Sequence, residues 1–112
     1  MTAFGHLHHI GIVVNELEPA SRNITALLEA RVSDRGVDEP LGASWIWVES
    51  PRNPVIELLA PTGDGAIADW LARRGQGLHH LTMQTSIGPP CFAKLSMTTR
   101  RRRCATSYTT SA

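Results

Sequence analysis

The chain has 112 residues, 42% of them hydrophobic, which gives room for one domain with a core. No apolar run is long enough to cross a bilayer, and Met1-Thr2-Ala3-Phe4-Gly5 lacks the basic stretch and apolar core of a secretory signal, so a cytoplasmic protein with no membrane partner is expected. The net charge of +1 hides an asymmetry: residues 1–85 hold all ten acidic side chains and six of the eleven basic ones, while Lys94 and Arg100 to Arg103 make the remainder +5.

Leu7 to Val14 is almost wholly apolar and rich in Ile and Val, the signature of a buried strand interrupted only by His8-His9. Asn15 offers an N-cap with Glu18 three residues on, and Leu17, Ile24, Leu27 and Leu28 follow at helical spacing. An amphipathic helix is expected over 16–30, with Pro19 tolerated in its first turn. A short strand, Arg31 to Arg35, closes at Gly36, and Asp38 to Gly42 is a loop by its turn residues. Ala43 to Glu49, with Trp45, Ile46, Trp47 and Val48, is a strand; Ser50 to Pro54 turns the chain into the next one, Val55 to Ala60.

After Pro61 to Gly65, Ile67, Trp70 and Leu71 mark one face of a short helix stopped at Gly75 and Gly77. Leu78 to Thr85 is the last strand with a clear pattern, and it repeats the Leu-His-His of the first in Leu78-His79-His80. Beyond Ser86 come Pro89-Pro90, the arginine run and a Ser/Thr-rich end with neither strand nor helix periodicity. Residues 86–112 are therefore expected to form an atypical basic, disordered tail. The tail has neither interleaved aromatics nor a basic helix face, so nucleic-acid binding is not expected. Cys91 and Cys104 are expected as reduced thiols.

The chemistry sits in three strands. Successive strand residues face opposite ways, so one histidine of each pair looks inward and the other away. Leu7, His9, Gly11 and Val13 share one face; Val55, Glu57 and Leu59 share another, as do His80, Thr82 and Gln84. Glu57 stands among Val55, Ile56, Leu58 and Leu59, where an ionised carboxylate is costly unless a cation or donors meet it. A lone strand histidine is more often a hydrogen-bonded core residue than a ligand, but here two repeated Leu-His-His strands accompany a carboxylate-bearing one. His9, Glu57 and His80 are the candidate metal ligands: two imidazoles and a carboxylate oxygen suit Zn, Fe, Co, Ni or Mn.

In order and spacing, His8 to Val14, Asn15 to Glu18, Ile56 to Pro61, Ile67 to Leu71 and Gly75 to Leu81 resemble the vicinal oxygen chelate superfamily of glyoxalases, bleomycin-resistance proteins and dioxygenases, and within it the methylmalonyl-CoA epimerases. The resemblance covers residues 6–85. It implies an α+β fold, a βαβββ module whose curved sheet forms half a cup around a divalent metal, with the second module incomplete. His9 matches the first-strand ligand, His80 the ligand opening the second module, and Glu57 a fourth-strand position. Glu39, in the loop before the third strand, matches one catalytic base. The implied chemistry is enolate stabilisation during proton exchange at the α-carbon of a small acyl-CoA substrate; a homodimer would complete the cup.

The pattern stops near Ser86: the chain has no acidic residue after Asp69, so the acidic ligand and base of the family's last strand have no counterpart. Such an end after so recognisable a strand reads as a truncated or frame-shifted copy. Two readings follow, a metal-dependent epimerase- or glyoxalase-type enzyme, and a non-catalytic metal- or ligand-binding module or inactive paralogue.

Overall fold

A computed structural model describes residues 4–85, 92–96 and 102–105 of the chain. In chain order the elements are β1 (Phe4–Val13), α1 (Leu17–Leu28), β2 (Arg31–Asp38), β3 (Ala43–Ser50), β4 (Asn53–Pro61), α2 (Ala66–Arg74), β5 (Gly77–Thr85), β6 (Phe92–Ser96) and β7 (Arg102–Ala105). The strands form one sheet in the order β2-β3-β4-β1-β5-β6-β7. β1 and β4 run parallel, and every other pair is antiparallel. The first five elements are the expected βαβββ module, and the fold is α+β.

Alternation along the strands divides the core between the two faces of the sheet. On one face Val14, Ile46, Val48, Leu58 and Ala60 pack beneath Leu17, Ala20 and Ile24 of α1. On the other, Val13, Ala43, Trp45 and Leu59 pack with Ile67 and Trp70 of α2. His9, Glu57 and His80 stand on this second face. Leu58 is fully buried, and truncating it to alanine is expected to cost about 3 kcal/mol, read as a lower urea midpoint. Leu27→Ala should change stability by less than about 0.5 kcal/mol, because that side chain is 78% exposed.

That exposure corrects the expected helix stripe: Leu17, Ala20, Ile24 and buried Ser21 face the sheet, whereas Leu27 points to solvent. The expected capping box also fails to form. Glu16 is the N-cap and makes no side-chain cap bond; the Asn15 backbone N–H donates instead to Gln76 Oε1 at 2.8 Å. Glu18 pairs with Arg35 at 2.9 Å on the open surface, a contact of little energetic weight. β2 runs on past Gly36 to Asp38, because the Trp45 indole lies over the bare α-carbon of that glycine. α2 ends as expected at Gly75, whose positive φ of 73° suits glycine.

The sheet continues past Thr85. β6 pairs with β5 and β7 with β6, so residues 92–96 and 102–105 are strands where a disordered tail was expected. Their order comes from pairing with a preformed edge rather than from a sequence period of their own. Cys91, Arg100 and Arg101 lie outside the described residues. Among the described residues no helix is long and apolar enough to cross a membrane.

Candidate metal centre

Register brings the three candidate ligands together. Gly11 of β1 is paired with Glu57 of β4 on one side and with His80 of β5 on the other, so carboxylate and imidazole approach each other across a residue with no side chain. A Cβ on Gly11 would overlap the His80 ring. His9 lies two residues back along β1 on the same face, and its Nε2 reaches the same point. Nε2 of His80 is 3.1 Å from Glu57 Oε1, Nε2 of His9 is 3.5 Å from it, and the two Nε2 atoms are 3.3 Å apart. All three residues are buried.

The Trp47 indole N–H donates to the other carboxylate oxygen, Glu57 Oε2, at 3.3 Å. That bond turns Oε1 toward the imidazoles. Burial by itself would push the Glu57 carboxyl up, but hydrogen bonds and charge interactions with His80 and His9 outweigh it and hold the group well below its ordinary 4.5. Glu57 is therefore ionised inside the fold. His8 and His79 do not turn away as strand alternation predicts. Nδ1 of His8 lies 2.8 Å from Nδ1 of His9, and Nδ1 of His79 lies 2.8 Å from Nδ1 of His80.

Three donor atoms 3.1 to 3.5 Å apart match one cation with ligands at about 2.1 Å, where neighbouring donors are about 3.0 Å apart in an octahedron and about 3.4 Å in a tetrahedron. Two imidazoles and a carboxylate select a first-row transition ion over Ca²⁺ or Mg²⁺. The Thr82 hydroxyl, fully buried and opposite His9 in the β1–β5 register, has no hydrogen-bond partner among the described residues. An unsatisfied buried hydroxyl beside the cluster is consistent with a polar guest. The donor set, its spacing and this orphan hydroxyl all fit a divalent metal.

Glu39 is not brought to this point. It is exposed in the β2–β3 turn, beyond Asp38, which pairs with Ala43, whereas Glu57 pairs with Trp47. That offset is about 13 Å along the sheet at the usual strand rise. Trp47 and Gly11 have roles that strand alternation alone does not assign. Counting back along β3 and β4 from the turn at Pro51-Arg52 brings Trp47 to within one residue of Glu57, and the irregularity between Val48 and Ser50 makes the pairing direct. The turn is legible in the amino-acid pattern; the irregularity is not.

A βαβββ module with a buried His-Glu-His cluster on one sheet face defines a class of α+β domain whose sheet could hold a metal ion. The chain belongs to the Glyoxalase/Bleomycin resistance protein/Dioxygenase superfamily, whose sequence profile matches residues 8–96. It is 35% identical over 79 residues to an ethylmalonyl-CoA/methylmalonyl-CoA epimerase of Cereibacter sphaeroides, over 69% of this chain and 58% of the relative. The crystal structure of a methylmalonyl-CoA epimerase from Mycobacterium tuberculosis superposes with a TM-score of 0.72 at 25% identity, covering 78% of this chain and 59% of that one. A methylmalonyl-CoA epimerase in complex with methylmalonyl-CoA and NH4+ matches with a TM-score of 0.66 at 27% identity, over 71% of this chain and 60% of that one. The chain thus spans less than two thirds of the length of these relatives.

Proposed function

We propose that this chain binds one divalent metal ion through His9, Glu57 and His80 and is an epimerase-like protein acting at the α-carbon of a methylmalonyl-type acyl-CoA. The observation that carries the reading is the meeting of three buried donor atoms, from three different strands, at one point of the sheet. The relatives named as methylmalonyl-CoA epimerases support the substrate class. A bound cation would supply Lewis-acid polarisation of a thioester carbonyl, which a carboxylate base needs because the α-proton is otherwise too weak an acid.

The chain's own groups supply the setting. His9 and His80 fix two sides of the site, and Glu57 stays ionised with one oxygen held by Trp47 and the other directed at the two imidazoles, where a cation would sit between them. Burial keeps bulk water from competing for these donors. The Thr82 hydroxyl offers a hydrogen bond to a substrate oxygen. Glu39 is the base that the family resemblance offers, and in that role the β2–β3 turn would have to fold over the site.

One observation favours the second reading, a metal- or ligand-binding module without turnover. Among the described residues the cluster holds no carboxylate besides Glu57 itself. Proton exchange separates the two. Purified protein loaded with Co²⁺ or Mn²⁺ is incubated with methylmalonyl-CoA in heavy water, and deuterium at C2 is followed by mass spectrometry. Metal-dependent incorporation is the expected result. Metal uptake with no incorporation would establish the binding module instead.

A further inference from the structure

We propose that His8 and His79 are positioning residues that set the tautomers of His9 and His80, so that both present a bare Nε2 to the cation. The inference rests on the metal reading above. Its basis is a contact made twice, Nδ1 to Nδ1 at 2.8 Å in each adjacent histidine pair. A neutral imidazole carries one proton on its two nitrogens, so a contact this short requires a proton on one ring and a lone pair on the other. When Nε2 of His9 gives its lone pair to a metal, the ring's proton must sit on Nδ1, and the Nδ1 lone pair of His8 accepts it. His79 does the same for His80.

A metal-ligating histidine ordinarily donates its second N–H to a carboxylate or a carbonyl. Here a second imidazole takes that place, and an imidazole can donate as well as accept. Without a cation, Nε2 of His9 and of His80 face Glu57 Oε1, where a donated N–H is favoured, and each Nδ1 then accepts from its neighbour. When a metal enters, the proton that each ligand ring keeps sits on Nδ1, facing its neighbour. The flanking rings are themselves held: His8 stands edge-on to Trp47 with centroids 5.7 Å apart, and His79 edge-on to Trp70 at 5.2 Å. The repeated Leu-His-His sequence therefore supplies each ligand together with its own hydrogen-bond partner.

The test is a Co²⁺ titration of the full chain followed by visible absorption, on the parent and on His8→Ala, His79→Ala, His8→Asn and His79→Asn. Each alanine variant should lose about 10- to 100-fold in affinity. Asparagine, whose amide oxygen takes the place of Nδ1, should recover most of that loss. Long-range ¹H–¹⁵N spectra of the Zn²⁺-loaded parent should show His9 and His80 protonated at Nδ1, a readout that needs no substitution and survives an alanine variant that fails to fold. Alanine variants binding Co²⁺ as tightly as the parent would overturn the inference, as would asparagine variants no better than alanine. A parent that takes up no Co²⁺ fails the metal reading itself, a result distinct from either.

Discussion

Gly11→Ala is expected to abolish the metal site while leaving the backbone path of β1 unchanged. The glycine has no positive φ to protect, so the backbone conformation itself accepts alanine. The obstacle is space: the added methyl would occupy the volume of the His80 imidazole, which lies across the strand at that point. His80 is 1% exposed and has no room to retreat without displacing its neighbours. Overpacking of this kind costs about 1–3 kcal/mol of stability. A displaced His80 also removes one of three ligands, so Co²⁺ affinity should fall more than about 100-fold, beyond what the loss of a partner behind a ligand costs. Gly63→Ala is the control, since nothing lies within 4 Å of a Cβ there. If Gly11→Ala binds Co²⁺ like Gly63→Ala, the His80 ring does not lie where the structure puts it.

The same row of residues explains why part of the site is legible in sequence and part is not. Period-two alternation puts one histidine of each Leu-His-His pair on the inward face, and Glu57 stands out because Val55, Ile56, Leu58 and Leu59 around it are all apolar. Alternation cannot say which residue lies between two strands. The role of Gly11 exists only once β1 is inserted between β4 and β5, a pairing between segments some 45 and 70 residues apart in the chain. Alternation sends His8 and His79 outward for the same reason; strand direction gives the face of a side chain, but not where a ring with two rotatable bonds places its nitrogens.

Helix α1 shows the limit in another form. Leu17, Ile24 and Leu27 each satisfy an approximate helical spacing, and only the sheet beneath decides that Ala20 and Ser21, not Leu27, complete the stripe. β6 and β7 leave little strand signal in the sequence because, Phe92 apart, most of their residues have little strand preference, and they add in turn to the edge offered by β5 and then by β6. The sequence therefore carries the donors and their faces, while the tertiary pairing carries the space and the hydrogen bonds that make them a site.

Glu57→Leu is expected to remove Co²⁺ binding and to destabilise the metal-free protein, even though leucine is apolar and of similar size. Replacing a whole buried polar network by apolar groups can be neutral, but removing one partner leaves the others unsatisfied. Here the Trp47 N–H and both imidazole Nε2 atoms would lose the carboxylate they face, at about 1–3 kcal/mol for each group left without a partner. Glu57→Gln separates charge from shape. The parent carboxyl is held below its ordinary 4.5 in the folded state, so the unfolded chain binds the proton first as pH falls. The associated stability is fully present above about 4.5 and is lost on acidification, by up to about 1.4 kcal/mol per pH unit below that point. Urea midpoints of metal-free protein between pH 6 and pH 3 should therefore fall more steeply for the parent than for Glu57→Gln. Equal slopes would mean that Glu57 is not held ionised by the two histidines, and Co²⁺ binding undiminished in Glu57→Leu would mean that the cation is held elsewhere.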